Sequence, residues 1–134
     1  MLSSPFTVLC IDDNVVLVDA IERRLSLEKG FDGLYRIDDF STAVGVAVAV
    51  RASVVLLDVN LPGGIDALDV LDGIVSQVPD SPVIMFTGDP TEEIVSDARS
   101  HGARGFVSKG ASAEALLDAI GRVMRGEIVI ALDN

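Results

Sequence analysis

Short apolar runs with no internal alternation recur along this chain, and most are followed by a stretch whose apolar residues repeat three or four apart. Phe6-Thr7-Val8-Leu9-Cys10-Ile11 is the first such run and reads as a strand buried on both faces. Asp13 or Asn14 is then placed to cap a helix that carries Leu17, Ile21 and Leu25 on one face and closes at Lys29-Gly30. Residues 35–40 read as a second strand. The segment opened by Ser41-Thr42 is in conflict with itself, because Val44, Val46, Val48 and Val50 alternate with Ala and Gly at the period of a strand. A helix is expected there all the same. Consecutive parallel strands need a crossover of about a dozen residues, and no other segment can supply it, despite the low helix propensity of β-branched side chains.

The run Val54-Val55-Leu56-Leu57-Asp58 is a third buried strand that ends abruptly in a carboxylate. A turn at Leu61-Pro62-Gly63-Gly64 leads to a helix capped by Asp66, with Leu68, Leu71, Ile74, Val75 and Val78 as its apolar stripe. Pro82-Val83-Ile84-Met85-Phe86 is the fourth strand, ending in Thr87-Gly88-Asp89; Pro90 stands at a first-turn position, with Glu92 and Glu93 where the helix dipole favours acids. That helix stops at His101-Gly102. Gly105-Phe106-Val107-Ser108 is a short fifth strand before Lys109-Gly110, and Ser112 caps a last helix carrying Leu116, Leu117, Ile120 and Val123. Five repeats of strand then helix predict an α/β doubly wound fold, (βα)5, with a five-stranded parallel sheet in the flavodoxin-like order 2-1-3-4-5. Residues 1–126 form the expected domain. Residues 127–134 read as the start of a linker or a C-terminal tail.

Composition narrows the function. A chain of 134 residues with 49% hydrophobic residues suits one globular unit. A net charge of -11 argues against direct binding of nucleic acid, whose phosphates are gripped by clustered Lys and Arg. Cys10 is the only cysteine, so no internal disulfide is possible and a buried thiol is expected, compatible with the cytoplasm. The N-terminus lacks the basic and apolar regions of a signal peptide. The apolar stretch over residues 43–59 is broken by Arg51, Ser53 and Asp58 and falls short of the roughly 20 residues of a membrane span. No membrane partner is expected.

In the expected strand order the first and third strands are neighbours, so Asp12 and Asp13 meet Asp58 at the carboxyl edge of the sheet, where such folds bind ligands. Two unit charges about 4 Å apart repel by about 4 kcal/mol at an effective dielectric of about 20, so the cluster calls for a cation or a proton. A hard, all-oxygen site suits Mg²⁺. Thr87 and Lys109, at the ends of the fourth and fifth strands, offer a hydroxyl and a point charge suited to phosphate. A carboxylate nucleophile, a divalent metal, a hydroxyl and an ammonium are the parts needed to move a phosphoryl group onto an aspartate. Taken alone, Asp58 reads equally well as a turn residue; five compatible residues at four strand ends favour chemistry. Asp38-Asp39 reads as solvated surface on the edge strand, and His101 as a helix-end interaction.

On these residues the chain resembles the receiver domain of bacterial two-component response regulators over essentially its whole length. The resemblance implies that Asp58 is phosphorylated by a sensor histidine kinase or a phosphotransfer protein. It further implies that Asp13, Asp58 and the Asn60 backbone carbonyl bind Mg²⁺, with Asp12 acting through water, and that the domain catalyses its own phosphorylation and dephosphorylation. Thr87 matches the hydroxyl that moves towards the phosphoryl group, Lys109 the lysine that pairs with it, and Phe106 the switch aromatic that turns inward. The stretch from Gly102 to Gly110 and the Ala113-Glu114-Ala115-Leu116 that follows resemble the NarL/FixJ-like subgroup. Members of that subgroup usually carry a C-terminal helix-turn-helix that binds DNA, and a homodimer or a stand-alone receiver is also compatible. Gly110 departs from the proline that commonly follows the lysine and leaves that loop less rigid. Three rivals remain. An aspartyl phosphatase would carry its nucleophile on the first strand, a flavodoxin-like cofactor binder would need a phosphate loop where Asp12-Asp13 stand, and a pseudo-receiver would act purely through protein contacts.

Overall fold

A computed structural model describes residues 5–132. Its elements run β1 (Phe6–Ile11), α1 (Val15–Leu25), β2 (Phe31–Arg36), a 3-10 turn (Phe40–Thr42), α2 (Ala43–Val50), β3 (Val54–Asp58), α3 (Ala67–Gln77), β4 (Val83–Thr87), α4 (Glu92–Ser100), β5 (Gly105–Ser108), α5 (Ala113–Met124) and β6 (Val129–Ala131). All strands are parallel, in the order β2-β1-β3-β4-β5-β6. The doubly wound order 2-1-3-4-5 expected from the sequence is therefore present, extended by one short strand.

Every residue of β3, β4 and β5 is buried, as gap-free apolar runs require. Alternation sends Leu9, Ile11, Val55, Leu57 and Met85 to the face covered by α2, α3 and α4, while Val8, Cys10, Leu56, Ile84 and Phe86 go to the face covered by α1 and α5. Burying one such side chain is worth about 1.5–3 kcal/mol, so these two layers dominate the stability of the sheet. Helices α1, α3 and α5 start where the sequence places their caps: Asn14, Asp66 and Ser112 each accept a backbone N–H of the first turn.

The segment with the strand-like valine pattern is a helix. Ala43 and Ala47, four apart, are its buried face, and the valines are half-buried around them. Val44 packs so close to α3 that a Cβ at Gly73 would lie 2.7 Å from its Cγ2, so only glycine admits the contact. Arg51 then ends α2 in the left-handed region at φ +46°. Here the crossover requirement overrides local propensity.

Four boundaries differ from the sequence reading. Helix α1 stops at Leu25, and a turn rather than helix carries the chain to Gly30; Phe6 N–H donates to the Gly30 carbonyl at 2.9 Å, so β2 begins at once, at Phe31 rather than residue 35. The two Asp residues at 38–39 thus lie beyond the edge strand, and Asp39 caps the 3-10 turn by accepting the Ser41 N–H and hydroxyl. Pro90 stands outside α4, because Thr91 is its cap and accepts the Ile94 N–H at 3.1 Å. Residues 129–131, within the stretch read as linker or tail, add β6 to the sheet: Val129 N–H donates to the Arg104 carbonyl at 2.9 Å and its side chain is buried. Among the described residues no helix is long and apolar enough to cross a membrane.

His101 ends α4 and places Nδ1 2.7 Å from Asp72 Oδ1 of α3. That hydrogen bond, with the charges of Asp72, Asp97 and Asp66, holds its pKa above the ordinary value. A raised folded-state pKa gives stability that is complete below the unfolded value of about 6.5 and is lost as pH rises through the folded value. The difference in urea midpoint between the native chain and His101→Gln should therefore be largest near pH 5.5 and shrink in alkaline buffer; a pH-independent difference would show that the ion pair contributes nothing.

Candidate functional site

The site lies at the carboxyl ends of β1, β3, β4 and β5, the edge to which a parallel sheet delivers its ligands. Ile11 pairs with Leu57 across β1 and β3, so the residues that follow, Asp12 and Asp58, emerge side by side. One carboxylate oxygen each from Asp12, Asp13 and Asp58 fall within 4.8 Å of one another. Asp58 is buried, as is the Asp12 side chain, while Asp13 faces solvent.

Backbone turns aim the two buried acids. Asp58 Oδ1 accepts the Asn60 N–H at 3.0 Å, and Asp12 Oδ1 accepts the Asn14 N–H at 2.9 Å. The Oδ2 atoms of both are thereby directed at Lys109, whose Nζ lies 2.9 Å from Asp12 Oδ2 and 3.3 Å from Asp58 Oδ2. Beyond Asp58 the chain turns at Gly63 and Gly64, both in the left-handed region at φ +74° and +73°, and an Asn60–Asp66 bridge closes the loop. Lys109 is held from its own backbone, with its N–H donated to the Thr87 carbonyl at 2.7 Å. Its ammonium also sits 5.8 Å from the centre of the Phe86 ring.

Burial pushes the Asp58 carboxyl above the usual carboxylate range and the Asp12 charge adds to this, against the Asn60 N–H and Lys109. For Lys109, burial acts downward, but the hydrogen bonds and charges of Asp12 and Asp58 outweigh it and hold the ammonium above its ordinary value. Asp12 Oδ2 is buried against the Lys109 ammonium. Three carboxylates share that single ammonium, and the donor set consists of oxygens alone, so it fits a hard cation that would balance the remaining negative charge.

Not every residue singled out in the sequence joins the cluster. Thr87 is buried at the end of β4, and its Oγ1 accepts the Asp89 N–H at 3.2 Å. Phe106 lies deeper, paired with Met85 across β4 and β5, and is already 99% hidden, with 1% exposed, in the core beneath α4. The inward turn expected on phosphorylation has no outward starting point here, because a ring without a hydroxyl has no polar tip to hold at the surface. Asn60 contributes an N–H to Asp58, a contact the sequence reading did not include. Phe86 was also missed as the surface beneath Lys109; its place beside Thr87 at the strand end was the available signal. Asp38, read as remote surface, lines the same shallow cleft as Asp12 and Asp13.

An acid whose folded pKa is raised costs stability once ionised: stability falls as pH rises from about 3.9 through the folded value and stays lower above it. Asp58→Asn removes that penalty. Its urea midpoint at pH 7 should exceed that of the native chain, by an amount that closes as pH approaches 4; a lower midpoint at pH 7 would mean that the Lys109 contact outweighs burial.

Residues 8–121 match the response regulator receiver domain. The nitrate/nitrite response regulator protein NarP of Escherichia coli (strain K12) is 29% identical over 133 residues, covering 95% of this chain and 59% of that protein. The chain thus spans less than two thirds of the length of the curated relatives it matches. Among solved structures, a LuxR-family two-component response regulator from Aurantimonas sp. SI85-9A1 shares the fold with a TM-score of 0.87 at 20% identity, covering 96% of this chain and 91% of that one. The signal receiver domain of the putative response regulator NarL from Mycobacterium tuberculosis superposes with a TM-score of 0.81 at 25% identity, over 92% and 99% of the two chains. The match opens inside β1 and closes inside α5, taking in every strand end that carries a candidate residue, and the chain belongs to the response regulator receiver domains, on the NarL-like side of that family.

Proposed function

We propose that this domain accepts a phosphoryl group on Asp58 from a sensor histidine kinase or a phosphotransfer protein. The observation that carries the reading is the buried Asp58 carboxylate, with Oδ1 tied to the backbone and Oδ2 3.3 Å from the Lys109 ammonium, inside a cluster of three acids. One Asp58 oxygen attacks phosphorus in line with the phosphorus–nitrogen bond of a phosphohistidine. That bond breaks, its electron pair goes to the imidazole nitrogen, which takes up a proton, and an aspartyl phosphate remains. Lys109 and the Thr87 hydroxyl hold the transferred oxygens. Asp13, Asp58 and the Asn60 carbonyl, with Asp12 through water, would hold Mg²⁺, whose charge would neutralise the acids and the incoming phosphoryl group. The same residues support hydrolysis of the acyl phosphate by water, which returns the free Asp58 carboxylate and releases phosphate.

Output follows as a population shift. Thr87 is drawn towards the phosphoryl group, and because Phe106 is already inward, the change is passed to α4 through the packing around that ring. A DNA-binding helix-turn-helix is the proposed recipient and transcription the proposed target; the acidic receiver itself is not the DNA-binding part. A cytoplasmic location fits this role.

Incubation with acetyl phosphate and Mg²⁺, followed by intact-protein mass spectrometry, should show a single phosphoryl adduct that disappears in Asp58→Asn and in excess chelator. No adduct under any condition would overturn the reading in favour of a pseudo-receiver. Thr87→Ala should still take the adduct but lose the phosphorylation-dependent change in amide exchange across α4; an unchanged response would sink the proposed coupling.

A further inference from the structure

β6 is the outermost strand of the sheet; it is short, three residues, but carries no charge, proline or bulge on its exposed edge. Natural edges are blunted by charges, prolines or bulges, yet residues 128–132 read Ile-Val-Ile-Ala-Leu. Val129 turns into the core beside α5, whereas Ile128, Ile130 and Leu132 remain 52%, 43% and 37% exposed. Ile130 and Leu132 line a groove shared with Glu92, Val95 and Arg99 of α4.

The backbone of β6 is equally unpartnered on its outer side. Val129 donates its N–H to β5, and successive residues of a strand point their N–H and C=O to opposite sides, so those of Ile130 face away from the sheet. One N–H and one C=O projecting from a single residue are self-complementary. A two-fold axis through that residue lets each copy donate to and accept from the other.

The charges of the groove are self-complementary in the same sense. Glu92 and Arg99 are seven residues apart, two turns on one face of α4, about 10 Å along its axis. Among the described residues neither takes part in an ion pair. Each copy carries a net charge of -11, so approach over most of the surface sets acid against acid. This groove offers one acid and one base, in the order an antiparallel neighbour needs.

We propose that β6 and the α4 groove form a homodimer interface, in which β6 pairs antiparallel with β6 of a second copy about a two-fold axis at Ile130. Ile130 meets Ile130 of the second copy in a reciprocal pair of backbone hydrogen bonds, and Ile128 lies opposite the second copy's Leu132. The two α4 helices then run antiparallel on one face of a continuous sheet, so Glu92 faces Arg99 of the other copy twice over. The proposal concerns the unphosphorylated chain and does not rest on the phosphoacceptor reading.

Sedimentation equilibrium from micromolar to millimolar concentration tests it. The mass should rise from 14.1 kDa towards twice that value. Ile130→Pro removes an N–H that points away from β5, so it should leave circular dichroism and Tm near native while holding the chain monomeric. Glu92→Arg and Arg99→Glu should each weaken association about tenfold, since each variant breaks two pairs and creates two repulsions, and the double swap should restore it. A mass that stays at 14.1 kDa throughout would overturn the proposal and leave the edge to a different protein. A dimer that survives Ile130→Pro, or charge variants that the double swap does not rescue, would place the interface elsewhere.

Discussion

The structure depends on a conflict between burial and charge at the end of β3. Asp58 is carried into the protein by Val54, Val55, Leu56 and Leu57, which are covered on both faces by helices, and it arrives beside two other acids. Two charges at about 4 Å repel by about 4 kcal/mol at an effective dielectric of about 20, comparable with what two buried apolar side chains return. The sheet can sustain that cost because its central strands are buried along their whole length. Lys109 reduces it further, its backbone anchored at the end of β5 by the N–H donated to the Thr87 carbonyl. A site built this way is poised to favour any added positive charge.

Legibility in the sequence followed burial. β1, β3, β4 and β5 could be read because strands covered on both faces tolerate no polar interruption, and the acids, Thr87 and Lys109 could be read because each stands where such a run stops. β2 was displaced because it is an edge strand with no fully buried residue, so Asp32, Gly33 and Tyr35 dilute its apolar pattern. The helix at Ala43–Val50 contradicts its own period and is intelligible only through a tertiary requirement. β6 alternates at period two, as Ile128, Ile130 and Leu132 show, but three residues beyond the last expected helix offered no partner from which pairing could be inferred. Within the site, identities were legible and directions were not. That Asn60 holds Asp58 by its N–H, that Phe86 underlies the ammonium and that Phe106 is already inward all depend on turns and registers that no single stretch of sequence encodes.

Phe106 shows how register constrains signalling. β5 is four residues long, wholly buried and paired on both sides, with Phe106 beside Met85 of β4 and Ile130 of β6. A strand in that position cannot shift alone, because moving it breaks ladder bonds on two sides at once. The softer route runs through side chains. Phe106 shares its cluster with Val95 and Ala98 of α4, and α4 is otherwise tied down by a surface hydrogen bond from His101 to Asp72. A change at Thr87 or Lys109 therefore reaches the surface at lower cost by moving α4 over a fixed strand than by moving the strand. That same helix borders the exposed edge of β6, so the element best placed to move is also the one that would alter what the edge can hold.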